Sequence, residues 1–91
     1  MNKQELIRRV AAETKMTQKE AGAVLEAALT TIQATVAAGE KVQLVGFGTF
    51  ERKQREARMA RNPRTGAAVQ LEASAAPTFR AGKDFREAVE K

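Results

Sequence analysis

Between Arg52 and Arg64 the chain sets six cations, Arg52, Lys53, Arg55, Arg58, Arg61 and Arg64, against a single carboxylate, Glu56. Five of the six are arginine, whose planar guanidinium matches phosphate oxygens in forked pairs and suits narrow, strongly negative grooves. The run passes into Arg61-Asn62-Pro63-Arg64-Thr65-Gly66, where a proline and a glycine mark a turn. The formal net charge of the 91-residue chain is +5, and residues 51–83 account for all of it, with eight cations against three carboxylates. Charge concentrated in this way fits the capture of a polyanion better than general solubility.

Other chemistries are poorly supplied. Cysteine is absent, which removes disulfides, thiol nucleophiles and thiolate metal sites; histidine is absent too, and with it the commonest general base and transition-metal ligand. No carboxylates cluster, so neither a catalytic constellation nor a cofactor or metal is expected. No apolar run has membrane-spanning length, and Met1-Asn2-Lys3-Gln4-Glu5 opens a polar helix rather than a signal peptide. These features imply a soluble intracellular protein with no membrane partner and no small-molecule substrate.

The elements that position the cations follow from local patterns. Asn2 three residues before Glu5 marks a helix start, and Leu6, Ile7, Val10 and Ala11 continue at helical spacing, predicting a helix over about Lys3 to Glu13. Its exposed side carries Arg8 and Arg9, read as a solvated face. Thr17-Gln18-Lys19-Glu20 is a capping box. Ala21, Val24, Leu25, Ala28, Leu29, Ile32 and Val36 then recur with the helical period to Gly39, a left-handed C-cap residue. This second helix, about Gln18 to Ala38, has a stripe broad enough to face both the first helix and a second subunit. In so small a chain, burial in a dimer is the simplest way to enlarge the core.

Lys41 to Val45 alternates and reads as a short strand, and Gly46-Phe47-Gly48 turns the chain into a second strand beginning near Thr49. Val69, Leu71 and Ala73 alternate with Gln70, Glu72 and Ser74, predicting a returning strand. Phe85, Ala88 and Val89 form a last helical stripe, with Asp84 in its first turn. The segment from Glu51 to Ala60 is ambiguous: its residues are helix formers, yet it has no apolar stripe with which a helix could pack. Pro63 cannot donate to a ladder, so strand pairing should lapse there, and Gly66 supplies the free dihedral of a tip turn.

Gly46-Phe47-Gly48-Thr49-Phe50, Ala57-Arg58, Arg61-Asn62-Pro63-Arg64-Thr65-Gly66 and Pro77-Thr78-Phe79-Arg80-Ala81-Gly82-Lys83, in this order, resemble the signature of the bacterial histone-like HU family, which includes integration host factor. The resemblance covers essentially the whole chain; Ala60 departs from it, standing where the family usually has glycine. It implies an α+β fold in one domain, residues 1–91: a helical dimerisation region over about 1–40, a short antiparallel sheet and long β-hairpin arm over about 41–82, and a C-terminal helix over about 83–90. Glu51 to Ala60 would then be the ascending strand of the arm, and the protein an intertwined homodimer.

The same resemblance implies non-sequence-specific binding and bending of double-stranded DNA, favouring bent, nicked or gapped duplexes, in the bacterial nucleoid. Lys53, Arg55, Arg58, Arg61, Asn62, Arg64 and Thr65 would line the minor groove. Pro63 would be a wedge between base steps, a mechanism for which HU and integration host factor are standard examples. Lys3, Arg80 and Lys83 would meet phosphate on the body surface. Phe47, Phe50 and Phe79, with Leu29, Ile32 and Val36, would form the dimer core. The alternatives are a site-specific bending subunit like integration host factor and a scaffold whose arm docks an acidic protein.

Overall fold

The computed structural model describes residues 1–90. The chain divides into two compact units, Met1–Ala34 and the remainder from Thr35 onward.

The first unit holds α1 (Lys3–Thr14) and most of α2 (Gln18–Ala37). Asn2 caps α1, its side-chain oxygen accepting the Glu5 N–H at 2.9 Å, which satisfies one of the helix's orphan donors. Lys15 ends it in the left-handed region at φ 59°, its N–H returning to the Ala11 carbonyl. The capping box of α2 is complete: the Thr17 hydroxyl accepts the Glu20 N–H at 3.1 Å, and the Glu20 carboxylate accepts the Thr17 N–H at 3.0 Å. That backbone donor is the main reason the Glu20 carboxyl is held below its ordinary value of 4.5. The buried positions here are two alanines, Ala11 and Ala21, while Leu6, Val24 and Leu29 stay exposed.

The second unit begins with the last turn of α2. Gly39, at φ 94°, donates to the Val36 carbonyl at 2.9 Å, and Glu40 donates to the Thr35 carbonyl at 3.1 Å. These two bonds form a Schellman close, which the left-handed freedom of glycine permits. Five strands follow: β1 (Val42–Leu44), β2 (Gly48–Arg55), β3 (Arg58–Arg61), β4 (Ala68–Leu71) and β5 (Ser74–Ala81). An antiparallel sheet of order β1-β2-β5 is joined by an antiparallel β3-β4 pair. The helix α3 (Lys83–Glu90) closes the described chain, with Arg86 donating to the Gly82 carbonyl at 3.0 Å.

Both two-stranded stretches share one register. Gly48 faces Ala81, Arg55 faces Ser74, Arg58 faces Leu71 and Arg61 faces Ala68, so every facing pair fits a single hairpin without a bulge. The ascending strand implied by the family resemblance and the returning strand expected from the alternation are thus present, but each is broken in the middle, at Glu56-Ala57 and Glu72-Ala73. All four residues at the break are glutamate or alanine, types depleted from strands. Ala60 lies within β3 opposite Val69 and has no left-handed φ, so its backbone makes no demand for glycine.

Four phenylalanines gather at the root of this hairpin. Ring centroids lie 4.8 Å apart for Phe50 and Phe79, 5.4 Å for Phe47 and Phe79, 5.2 Å for Phe47 and Phe85, and 6.1 Å for Phe79 and Phe85, all tilted, within the range of favourable edge-on contacts. The cluster is nevertheless half open, with Phe47 46% and Phe79 42% exposed. Gly48 is the close approach that lets Phe79 seat: a Cβ at that position would fall 2.5 Å from two ring atoms and 2.7 Å from the Arg80 carbonyl oxygen.

Backbone cannot yield as a flexible side chain would, so Gly48→Ala should destabilise the fold by about 2 kcal/mol or more. Thermal unfolding checks this; a melting temperature equal to the parent's would show that the ring is free to move aside.

Candidate nucleic-acid interface

The tip of the hairpin is built by its own sequence. Asn62 closes the ladder by donating to the Ala67 carbonyl at 2.8 Å, and Gly66 donates back to the Asn62 carbonyl at 2.7 Å. The Asn62 side-chain oxygen accepts the Arg64 N–H at 2.8 Å, an Asx turn, and the Thr65 hydroxyl accepts the Ala67 N–H at 3.2 Å. Gly66 completes the turn at φ 73°. Strand pairing lapses at Pro63 as its missing N–H requires, leaving the ring exposed at the tip. Asn62 and Thr65, which the family resemblance implies as groove contacts, hold the loop that presents Pro63 and Arg64.

Side chains alternate between the faces of a strand. A spacing of three residues therefore puts Arg52 and Arg55 on opposite faces of β2, and Arg58 and Arg61 on opposite faces of β3. Arg58 lies across from Leu71 and Arg61 across from Ala68. The hairpin is cationic on both faces. At the break an open groove of about 480 Å³ is lined by Lys53, Arg55, Glu56, Ala57 and Arg58, a charged lining suited to anions rather than apolar ligands. Among the described residues, no group of acidic side chains is arranged to hold a metal ion.

The cations divide into two populations. Lys3 is paired with Glu26, and Arg80 with Glu51, which also has Lys41 at 3.8 Å; Lys83 lies 3.9 Å from Glu87 one helical turn on. Among the described residues, no carboxylate comes within ion-pairing distance of Lys53, Arg55, Arg58, Arg61 or Arg64. Lys53 contributes to the positive field at Glu51, whose carboxyl is held below 4.5 first by its hydrogen bond from Arg80. Arg52, counted with the arm in the sequence, donates from Nη1 to the Ala37 carbonyl at 3.0 Å. Neither that bond nor the role of Glu51 was legible in the sequence, since the partners lie 15 and 29 residues away. Of the apolar residues assigned to a dimer core, Val36 is buried, Ile32 and Phe50 are half-buried, and Leu29, Phe47 and Phe79 are exposed.

Residues 1–90 match the sequence profile of the bacterial DNA-binding protein family, and the chain belongs to that family. It is 51% identical over 88 residues to the DNA-binding protein HU of Streptococcus pyogenes (serotype M18), spanning 97% of each chain. It is 49% identical over 89 residues to that of Staphylococcus aureus (strain COL), spanning 98% of this chain and 99% of the relative. Among solved structures it resembles Anabaena HU cocrystallised with DNA, with TM-score 0.86 and 52% identity over 98% of this chain and 97% of the other. It also resembles HU from Thermotoga maritima, with TM-score 0.69 and 36% identity over 98% of each.

The lowered Glu51 carboxyl makes a testable contribution to stability. A carboxyl with a depressed folded value stabilises fully above its ordinary pKa and loses that contribution as pH falls through the folded value. Glu51→Gln should therefore melt below the parent at pH 7, with the two curves converging as pH is taken well under 4.5. A gap that stays constant across the acid range would show that the Arg80 pair contributes nothing.

Proposed function

We propose that the protein is an architectural DNA-binding protein of the HU type: a homodimer whose two arms enter the minor groove and bend double-stranded DNA with little regard to sequence. The observation that carries this reading is the partition of charge. Among the described residues, the arm arginines Arg55, Arg58, Arg61 and Arg64 lack carboxylate partners, while the cations at Lys3, Arg80 and Lys83 have them. At the usual rise of a strand, Arg52 to Asn62 spans about 33 Å, a length along which duplex DNA presents roughly twenty phosphates. Binding of this kind needs no bond making, so the reading assigns no enzymatic activity. Association with the bacterial nucleoid follows from it, and among the described residues no helix is long and apolar enough to cross a membrane.

Within this reading Lys53, Arg55, Arg58, Arg61 and Arg64 grip phosphate, and Asn62 and Thr65 shape the tip. The exposed ring of Pro63 unstacks a base step, as wedges of this family do. Lys3, Arg80 and Lys83 contact phosphate by exchanging their carboxylate partners for DNA. A second copy covers the half-open phenylalanine cluster and Val36 of the second unit, and Leu29 and Ile32 of the first. The named relatives and solved structures described above are HU proteins, and no observation favours the site-specific alternative.

Two experiments test the reading. If a dimer neutralises about six phosphates, log affinity should fall with log salt at a slope of roughly −5. Arg61→Ala should weaken binding to every duplex and flatten that slope by about two units, one contact being lost from each arm. Pro63→Ala removes no charge and should leave the slope intact while reducing the bend seen by energy transfer between duplex ends. It should also penalise intact DNA more than nicked DNA. An unchanged bend, with equal losses on both substrates, would reduce Pro63 to a turn residue.

For the dimer, unfolding should shift to higher temperature as protein concentration rises. A concentration-independent transition with a monomeric mass in solution would remove the paired-arm geometry.

A further inference from the structure

We propose that Arg52 is a positioning residue that fastens the root of the hairpin to the C-terminus of α2, and is not one of the DNA-contacting cations beside it. The sequence counts Arg52 with Arg55, Arg58, Arg61 and Arg64, but the structure separates it from them. Its Nη1 donates to the Ala37 carbonyl at 3.0 Å, one of the last carbonyls of α2. The Schellman close uses the carbonyls of Thr35 and Val36 for Glu40 and Gly39, and the guanidinium supplies a donor to the next one along. A helix end leaves its final carbonyls without intrahelical partners and carries partial negative charge, so a guanidinium is the favoured side chain there. No lysine, arginine or histidine from α2 itself lies in its last turn. The cation comes instead from β2, fifteen residues on.

The position along the ladder strengthens the assignment. Arg52 faces Pro77 in the β2–β5 register, and proline has no N–H to contribute to strand pairing. The tie from Arg52 to the helix end therefore falls beside the one cross-strand partner with no donor to give. Three residues further out come Arg55 and then the break at Glu56-Ala57. The anchored part of the hairpin ends there, and the unpaired arginines lie at or beyond that point. A fixed root sets the direction in which the rest of the arm leaves the sheet.

The test uses Arg52→Gln and, for comparison, Arg55→Gln in the full-length protein. Only its second half rests on the DNA-binding reading. In the free protein, Arg52→Gln should speed amide hydrogen exchange roughly fivefold at Gly39 and Glu40 and at Lys53 to Arg55, the effect of losing one ordinary hydrogen bond. Arg55→Gln should leave the Gly39 and Glu40 amides at the parental rate. On a mixed-sequence duplex, Arg52→Gln should lower affinity by a similar factor at every salt concentration, keeping the parental salt slope. Arg55→Gln should flatten that slope by about two units if both arms of a dimer lose a contact. Parental exchange rates in Arg52→Gln overturn the anchor, as does a salt slope flattened as much as in Arg55→Gln. A parent protein that binds no duplex would overturn the DNA-binding reading, while the exchange rates would still decide the anchor.

Discussion

The seating of Phe79 against the backbone of Gly48 is the contact on which the second unit depends. The missing side chain at Gly48 lets the ring approach to a distance that any Cβ would forbid. That approach brings Phe79 within reach of Phe47 and Phe50 on the turn and strand opposite, and of Phe85 on α3. The rings thus join the β1–β2 turn, the middle of the sheet, its outer strand and the terminal helix. Because β2 and β5 leave this cluster already in register, the hairpin holds the same pairing to its tip. The arm is aligned from its root, since its outer half has little apolar surface with which to align itself.

Charge is organised around the same division. Near the root, Glu51 gathers Arg80 and Lys41, and Arg52 turns to the helix end. Farther out, no carboxylate among the described residues pairs with the arginines, and alternation spreads them over both faces of the ribbon. An exposed ion pair contributes little to stability, so the pairs at the root matter more for where they hold side chains than for their energy. An unpaired guanidinium keeps its full charge available to an external phosphate and gives up no internal bond on binding. Lys3 and Arg80 would have to release a carboxylate before meeting a phosphate, which would make their net gain smaller.

The helical elements were legible from the chain because their signals are local. Asn2, the Thr17–Glu20 box and Gly39 mark helix ends through bonds spanning at most five residues, and the observed bounds fall within one residue of the expected ones. The tip loop belongs to the same class: Asn62, Pro63, Thr65 and Gly66 make their turn within a six-residue span. The basic run and the absence of histidine and cysteine likewise follow from composition alone.

The strand between Glu51 and Ala60 was not legible in this way. Its glutamates, arginines and alanines favour a helix by intrinsic propensity, and only the likeness to a known family pointed to a strand. The physical decision comes from pairing with a returning segment, at separations of 27 residues for Glu51 falling to 9 for Ala60, an interaction that no local preference encodes. Nor could the chain alone show that both strands break together, that Glu51 would hold Arg80, or that Arg52 would leave the cationic row for a helix end. Those outcomes depend on which residues the register sets side by side. The types and spacing of residues determined the caps, turns and total charge; tertiary pairing decided which charges stay free, because a charge is free only where folding brings it no partner.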